Sequence, residues 1–296
     1  MAVFPTASAS NRFALLVANC EDLLPAHHDI LLWYRVVKHM GFSDKNIRVI
    51  APEYISNYMD EIDSDQEVPR SIIFKTNSAS NFEAQLSKFM SKLMHERGKK
   101  DLFFALSSHG FQLPSNDQGE RDGMDEAIPL HGRAFRDDQF YDYIVRPLKE
   151  DTSAFLIFDT CHSGTMGDLN YVNGVKDRSD KNETAGVIAF SACSDSQLAW
   201  NATSVINGLY GGTTFVSLYD HYFSVERNLG QLDVFEYCDY AKTRLSSEFN
   251  QSCTVSQSRL DLGENFKDEE YDMDPIDEEP EVQPEPEVQP EPEVQP

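Results

Sequence analysis

The chain has 296 residues, with 50 acidic side chains against 25 basic ones and a net charge of −25 at neutral pH. Phosphates would repel such an acidic chain, so we expect neither nucleic acid nor a membrane as a partner. The 40% hydrophobic fraction is enough for a sizeable buried core. The five cysteines form no CxxC pair, which argues against disulfides or a zinc site. Without a recognisable secretory signal or membrane-spanning stretch, we expect a cytoplasmic protein.

Short apolar runs alternate with amphipathic stretches along most of the chain. Strands are predicted at residues 13–17, 47–50, 101–106, 154–158 and 186–192, and helices at 29–40, 81–97, 137–148, 213–223 and 231–248. Residues 51–79 and 165–184 show no clear period and are predicted to be surface loops. Ser80, with Glu83 three residues later, predicts a capping box at the second helix. This alternation predicts an α/β fold whose mostly parallel sheet carries helices on both faces.

The end of the chain has a different composition. EPEVQP occurs three times between residues 279 and 296, and residues 267–296 contain 13 acidic residues and one lysine. Such a segment cannot bury a core and is expected to stay extended and solvated. We therefore divide the chain into an N-terminal extension (1–11), a folded domain (12–265) and an acidic, proline-rich tail (266–296).

Two residues with the chemistry of a cysteine peptidase follow predicted strands. His109 comes after the strand at 101–106 and Cys161 after the strand at 154–158, and the carboxyl ends of parallel strands meet at one edge of a sheet. Peptide hydrolysis by cysteine needs a thiolate, a base and donors for the oxyanion. We predict Cys161 as nucleophile, His109 as base, and the N–H groups of Gly110 and Cys161 as oxyanion donors.

Two alternatives compete with this dyad. Cys161 after an apolar strand could be a small buried side chain without chemistry. His162 could replace His109 as the base, but it is adjacent to Cys161, and on an ordinary turn its ring would point elsewhere. We therefore favour His109.

The stretch around these residues resembles the metacaspases, a family of caspase-like cysteine peptidases. The matching motifs are SSHG (107–110), DGMDEAI (122–128), DDQ (137–139), RPL (146–148) and FDTCHSGT (158–165), and weaker matches extend the similarity over about residues 12–260. The resemblance implies a caspase-like three-layer sandwich, cleavage after arginine or lysine, and activation by calcium. The chain departs from the family pattern at Ser108, where a glycine usually precedes the histidine, and in the element Ser191-Ala192-Cys193, where the family favours a glycine.

Two aspartates are expected beside the nucleophile. Asp159 lies two residues before Cys161 and points to the same side on an extended backbone, and Asp29 opens the first predicted helix at the same edge. Two carboxylates suit an arginine or lysine side chain, and the resemblance implies that both line the specificity pocket. Alternatively, Asp29 serves the helix dipole and Asp159 is a structural buried carboxylate.

The resemblance also implies a calcium site. Its candidate ligands are Asp125, Asp137, Asp138 and Asp168, whose hard oxygen atoms suit that ion. Alternatively these are ordinary loop aspartates in a very acidic chain, and Asp137 and Asp138 cap the helix that they precede.

Three basic residues in the loop at 165–184 are candidate sites of self-processing: Lys176, Arg178 and Lys181. They are the residue types that the acidic pocket would accept, and the loop is tethered close to Cys161. Alternatively they only keep an exposed linker soluble. The sequence thus predicts a monomeric, calcium-dependent cysteine endopeptidase that cleaves protein or peptide substrates through a thioester. The alternatives are a weak or inactive scaffold protein and a transamidase-like relative.

Overall fold

The computed structural model describes residues 3–19, 25–52, 68–115, 122–176, 181, 184–200, 211–224 and 230–262. Cys20, Arg178 and the tail at 266–296 lie outside these ranges. Within the described residues, no helix has both the length and the apolarity needed to cross a membrane.

The described part of the chain contains fourteen strands and five α-helices, besides short 3₁₀ turns. The strands are β1 (Val3–Phe4), β2 (Arg12–Asn19), β3 (Ile47–Pro52), β4 (Ile73–Thr76), β5 (Lys100–Ser108), β6 (Phe111–Pro114), β7 (Met124–Leu130), β8 (Arg133–Arg136), β9 (Thr152–Asp159), β10 (Tyr171–Val172), β11 (Val175–Lys176), β12 (Gly186–Ser191), β13 (Leu232–Asp233) and β14 (Thr254–Gln257). The helices are α1 (Pro25–His39), α2 (Ala79–His95), α3 (Asp137–Phe140), which continues into a π-helical turn (Tyr141–Val145), α4 (Thr213–Ser224) and α5 (Val234–Phe249).

A nine-stranded sheet organises the domain, in the order β11-β10-β14-β12-β9-β5-β2-β3-β4. The six strands from β12 to β4 run parallel to one another. Strands β14, β10 and β11 complete the other edge with antiparallel pairs. Parallel neighbours need crossover connections, and these connections place the helices on the two faces of the sheet.

Side-chain alternation along the strands builds one core on each face of the sheet. On one face, Leu16 of β2 shares a buried cluster with Trp33 of α1 and Phe215 of α4, and α5 contributes to the same cluster. On the other face, Leu15 of β2 shares a second cluster with Phe89 of α2 and with residues of α3. The expected three-layer α/β sandwich with a mostly parallel central sheet is therefore confirmed.

Several local predictions were wrong. Residues 51–79 contain β4, a short edge strand that pairs on one side only and leaves no period in the sequence. The cap of α2 is Ser78, whose side chain accepts the N–H of Asn81 at 3.2 Å, so the capping box at Ser80 does not form. The loop predicted at 165–184 includes the β10–β11 hairpin, which joins the sheet through β14.

The residues assigned to an N-terminal extension pack onto the domain. Strand β1 pairs with β13, and the ring of Phe4 lies 6.2–6.4 Å from the rings of Phe42, Phe103 and Phe155. The backbone N–H of Ala7 donates to Asp101 Oδ2.

Candidate active site

The candidate catalytic pair lies at one edge of the nine-stranded sheet. Strands β5 and β9 are parallel neighbours, with Ser107 opposite Asp159 in the register. His109 is the first residue after β5, and Cys161 is the second residue after β9. Because the carboxyl ends of parallel strands meet at the same edge, the structure brings His109 and Cys161 to this edge on adjacent strands.

Solvent access separates Cys161 from the other described cysteines. Cys161 is partly exposed, whereas Cys193, Cys238 and Cys253 are buried. Burial raises the pKa of Cys193 to about 11 and holds the pKa values of Cys238 and Cys253 well above their usual range. Since a thiol reacts as its thiolate, these three are poor nucleophiles. Among the described cysteines, Cys161 is the candidate for chemistry.

The turn after Cys161 is held by the loop at 192–200. His162 has a left-handed backbone (φ 54°), and its N–H donates to Gln197 O at 2.9 Å. Its ring Nδ1 lies 2.6 Å from Asp195 O. Because a carbonyl oxygen can only accept, Nδ1 carries the proton of this bond. His162 is thus engaged in holding the loop, which favours His109 as the base.

Gly110 packs against the backbone of the candidate nucleophile. A Cβ at this position would collide with the carbonyl oxygen of Cys161, so the close approach requires glycine. The N–H groups of Gly110 and Cys161 donate to no acceptor within the described ranges. An oxyanion site requires donors that are not already engaged by the protein.

Asp29 is fully buried in the second turn of α1. Its Oδ2 accepts the hydroxyl of Ser107 at 2.8 Å, and its Oδ1 accepts the N–H of Gly212 at 2.9 Å. Burial raises the pKa of Asp29 to about 7, although these two hydrogen bonds act in the opposite direction. A charge serving the helix dipole would need neither contact, so that alternative does not explain the position of Asp29.

Asp159 is the second buried carboxylate of this region. Its Oδ2 has no hydrogen-bond partner among the described residues, and a Cβ on Gly212 would collide with that oxygen. Burial and the charge of Asp29 raise the pKa of Asp159 well above its usual range. No lysine or arginine in the described part of the chain pairs with either carboxylate. Such a pair suits a guanidinium or ammonium group supplied by a ligand.

A buried hydrogen-bond network connects the nucleophile loop to the small sheet β6–β7–β8. Glu126 of β7 is fully buried, and its Oε2 is in hydrogen-bond contact with Oγ1 of Thr165, four residues after Cys161. Thr165 N–H donates to Asp195 Oδ1 at 2.9 Å. Burial, and then the negative charges of Asp195 and Asp137, raise the pKa of Glu126 to about 10. Burial at this position thus favours the protonated form of Glu126.

Three of the four candidate calcium ligands lie together. Asp125, Asp137 and Asp138 each offer a carboxylate oxygen, and these oxygens lie within 4.8 Å of one another. Asp125 Oδ1 is buried and has no hydrogen-bond partner within the described ranges. Burial, together with the charges of Asp125 and Asp138, raises the pKa of Asp137 to about 7. A crowded set of hard oxygen donors with an unpartnered buried oxygen fits calcium.

Two side-chain cations of the protein itself occupy this acidic cluster. Arg136 forms an ion pair with Asp125. Lys181 forms an ion pair with Asp168, and its Nζ lies 3.6 Å from Asp138 Oδ1. Asp168, which comes from a different loop, thus joins the cluster through Lys181.

The candidate processing residues differ in their surroundings. Lys176 lies in β11 and is exposed, whereas the side chain of Lys181 is only 21% exposed because it is held in the acidic cluster. Arg178 lies outside the described residues. Lys176 is therefore the more accessible of the two described candidates.

Four residues of the site were not predicted from the sequence: Gly212, Glu126, Thr165 and Asp195. Gly212 contacts Asp29 across 183 positions of sequence, and Thr165 contacts Glu126 across 39. Neither contact can be predicted from a local sequence pattern. The GlyGly pair at 211–212 and the threonine that follows CHSG are the signals that could have drawn attention to them.

Known proteins share both the sequence pattern and the fold of this chain. The caspase domain family matches residues 11–261. Metacaspase-1B of Aspergillus terreus is 36% identical over 138 residues, 44% of this chain and 34% of that protein. Metacaspase III c of Phaeodactylum tricornutum is 29% identical over 180 residues, 57% of this chain and 47% of that protein. The matched regions span between a third and a half of these relatives.

A solved structure, that of protein GSU0716 from Geobacter sulfurreducens, superposes with a TM-score of 0.56 at 15% identity and covers 84% of this chain and 93% of that one. At this identity the likeness concerns the fold alone. Because the caspase domain match extends over most of the chain and the curated relatives are metacaspases, the chain belongs to the caspase domain family as a metacaspase-like member.

Proposed function

We propose that the chain is a calcium-dependent cysteine endopeptidase that cleaves after arginine or lysine. The observation that carries the proposal is the position of His109 and Cys161 on neighbouring strand ends, next to the buried carboxylates Asp29 and Asp159. The membership in the caspase domain family supports a cysteine peptidase. The metacaspase relatives support the finer assignment.

The proposed reaction uses the dyad twice. His109 accepts the proton of the Cys161 thiol, and the thiolate attacks the scissile carbonyl carbon. The N–H groups of Gly110 and Cys161 stabilise the oxyanion. His109 then returns the proton to the leaving amine as the C–N bond breaks, which leaves a thioester on Cys161. A water molecule, deprotonated by His109, hydrolyses the thioester and restores the thiol.

The specificity pocket is proposed from charge and burial. An arginine or lysine side chain placed at Asp29 and Asp159 would supply the cation that both carboxylates lack, and Asp159 Oδ2 would gain a hydrogen-bond donor. A charge-assisted hydrogen bond contributes about 1.5–3 kcal/mol. An acidic substrate side chain would instead be repelled by the same pair.

The proposed calcium ligands are Asp125, Asp137, Asp138 and Asp168. Calcium held by these residues would supply a divalent positive charge to the cluster. The cluster is connected to the nucleophile loop, because Asp137 Oδ2 accepts the N–H of Glu126 at 2.9 Å and the side chain of Glu126 contacts Thr165. Calcium binding that orders the cluster would thus also affect the conformation of the loop that carries Cys161.

A peptide assay tests the proposal. The purified full chain is given a fluorogenic peptide ending in arginine or a matched peptide ending in aspartate, each with calcium or with a chelator. We expect turnover only of the arginyl peptide and only in calcium. Cys161→Ala should lower the rate by about 10³-fold or more, and Cys253→Ala, which removes a buried thiol, should retain it.

Each part of the proposal has its own contrary outcome. Turnover in Cys161→Ala would contradict the nucleophile, and efficient cleavage of the aspartyl peptide would contradict the pocket. Full activity in chelator would contradict the calcium requirement but would still agree with a cysteine peptidase. Inactivity under every condition would favour the scaffold alternative, and transfer of the acyl group to an added amine instead of water would favour the transamidase alternative.

A further inference from the structure

A cleft with a volume of about 200 Å³ lies between the turn before β3, the start of β3, the residues around the start of β4, and α2. Arg48, the second residue of β3, lines it, so the cleft is beside the amino end of this strand. His109 and Cys161 instead follow the carboxyl ends of their strands. Because these strands are parallel, the cleft and the candidate active site are at opposite edges of the sheet.

Three cationic side chains line this cleft: Lys45, Arg48 and Lys92. None of them forms an ion pair with an acidic residue in the described part of the chain. The one carboxylate among the described lining residues, that of Asp44, already pairs with Lys38 at 2.8 Å. In a chain with 50 acidic and 25 basic side chains, the cleft is therefore a place where the local charge is positive.

The positive charges of the cleft act on one another. Burial, and then the charges of Arg48 and Lys45, lower the pKa of Lys92, while Glu96 acts in the opposite direction. The Nζ atom of Lys92 is in hydrogen-bond contact with the carbonyl oxygen of Lys45, which keeps the ammonium beside the turn before β3. Cations gathered in this way repel each other, and a bound anion would relieve the repulsion.

The guanidinium group of Arg48 is fixed in the cleft. Arg48 is 8% exposed, and its Cζ atom lies 4.3 Å from the centre of the Phe74 ring and 5.7 Å from that of the Phe89 ring. One N–H of the guanidinium donates to Gln85 O at 3.0 Å, and its other N–H groups have no acceptor within the described ranges. A planar guanidinium held in this way presents N–H groups in the geometry that phosphate oxygens accept. Stacking on the two rings explains why Arg48 is buried, but it does not explain why two lysines gather beside it.

We propose that this cleft binds a small organic phosphate, whose phosphate group contacts Lys45, Arg48 and Lys92 and whose apolar part packs against Ile72 and Phe74. A phosphate monoester carries more negative charge than a single carboxylate and balances three cations better. The volume of the cleft leaves room beyond a phosphate group, and Ile72 and Phe74 supply apolar surface in its lining.

The overall charge of the chain does not prevent such binding. The net charge of −25 repels long polyanions, whose charges extend beyond a small cleft. Inside the cleft the nearby cations outweigh distant carboxylates, because the interaction falls with distance and salt screens the distant charges. The proposed site shares no residue with the peptidase reaction and does not depend on it.

Calorimetric titration compares an organic phosphate with its two halves. Phenyl phosphate, inorganic phosphate and phenol are each titrated into the full chain in calcium-free buffer at constant ionic strength. We expect phenyl phosphate to bind at least about tenfold more tightly than inorganic phosphate, because its ring is removed from water. Phenol, which lacks the charge, should show no measurable binding.

The two lysines provide a variant that leaves the stack of Arg48 on the phenylalanine rings intact. Lys45→Gln combined with Lys92→Gln should weaken the binding of phenyl phosphate by about 10- to 100-fold, as expected for the loss of charge-assisted hydrogen bonds. Lys88→Gln is the matched control, because Lys88 is an exposed residue of the same helix and does not line the cleft. It should change the affinity by less than about twofold.

Absence of phenyl phosphate binding, or equal affinity in wild type and in the double-lysine variant, would overturn the inference. Equal affinity for phenyl phosphate and inorganic phosphate would show that the cleft has no place for an organic part. The titration is repeated with a full chain in which the glutamates of the three EPEVQP repeats are changed to glutamine. Binding of phenyl phosphate by that chain alone would show that carboxylates of the acidic tail occupy the cleft, and would also contradict the proposal.

Discussion

Two buried carboxylates of the site lower the stability of the folded chain. Asp29 is 0% exposed and Asp159 is 6% exposed, and no cation among the described residues neutralises them. Burying a carboxylate without a neighbouring cation is unfavourable, and replacing it by a neutral group of similar shape commonly stabilises a protein. The arginine or lysine side chain of the proposed substrate would bring the positive charge that this pair lacks.

The first residue-scale prediction is a pH effect on stability. Burial raises the pKa of Asp29 from 3.8 to about 7, so the folded chain holds a proton here that the unfolded chain has released. The contribution of this group to the free energy of unfolding is complete below the unfolded pKa and is lost as pH rises towards 7. When pH is raised from about 5 to about 8, the free energy of unfolding of Asp29→Asn should increase relative to that of wild type by on the order of 1–3 kcal/mol. Urea unfolding at both pH values measures this difference.

An exposed aspartate provides the control for this measurement. Asp261, whose side chain is 74% exposed, is changed to asparagine in the same background. The Asp261→Asn chain should follow the wild-type pH dependence. If Asp29→Asn follows it as well, the carboxyl group of Asp29 does not titrate as its burial requires.

The site could be anticipated in part because its signals are local. The strand ends before His109 and Cys161 are visible as apolar runs, and Asp159 is fixed relative to Cys161 by the two-residue period of a strand. The partners of Asp29 could not be anticipated, since Gly212 is 183 positions away. The pairing of Lys181 with Asp168 was missed for a different reason: both are charged loop residues, and charge alone does not distinguish a held lysine from a solvated one.

At the scale of elements, the strands of the parallel sheet with six or more residues and the amphipathic helices were predictable, whereas the shortest strands were not. Strands β5 and β9 are buried on both sides and read as apolar runs. Strands β4, β6, β8 and β14 have four residues each, which is too short for a period to show. The helix predicted at 137–148 is α-helical only to Phe140 and then widens into a π-helical turn.

The small sheet β6–β7–β8 was missed entirely, and it carries an element-scale prediction. Burial favours the protonated form of Glu126 in β7, and its side chain contacts Thr165 in the loop after Cys161. An amide has the shape of a protonated carboxyl group and can keep this contact, so Glu126→Gln should stay within about threefold of wild-type activity. Glu126→Ala removes the contact and should lower kcat by about 10- to 100-fold. Steady-state kinetics with the arginyl peptide measures both variants.

The Michaelis constant distinguishes a misplaced loop after Cys161 from a disturbance of the whole site. The carboxylates proposed to bind the substrate lie on α1 and β9, so Glu126→Ala should leave KM for the arginyl peptide close to wild type. A parallel loss in Glu126→Gln would mean that the ionised carboxylate is needed. A large rise of KM in Glu126→Ala would mean that the substitution disturbs the whole site.

At the scale of the molecule, the parallel sheet gathers acidic side chains that are far apart in sequence. The chain has a net charge of −25, and such an excess destabilises a compact state through self-repulsion. Any salt will relieve part of this repulsion by screening. A specific calcium site should add a stabilisation that screening cannot supply, because binding to the folded state alone shifts the unfolding equilibrium.

The whole-molecule prediction is a calcium-specific rise in unfolding temperature. In the Cys161→Ala chain, calcium at about a hundred times its dissociation constant should contribute about 2.7 kcal/mol. For a domain of this size that corresponds to a rise in Tm of about 5–10 °C. Scanning calorimetry with calcium, and with magnesium at the same ionic strength, measures the difference.

Substitutions of two aspartates in the same segment distinguish calcium binding at the acidic cluster from general screening of the negative charge. Asp138 belongs to the acidic cluster, whereas Asp142 lies on the π-helical turn and pairs with Arg146 at 3.0 Å. Asp138→Asn should abolish most of the calcium-specific rise, and Asp142→Asn should preserve it. An equal rise with magnesium, or an undiminished rise in Asp138→Asn, would show that cations stabilise the molecule by screening its charge and not by binding at the cluster.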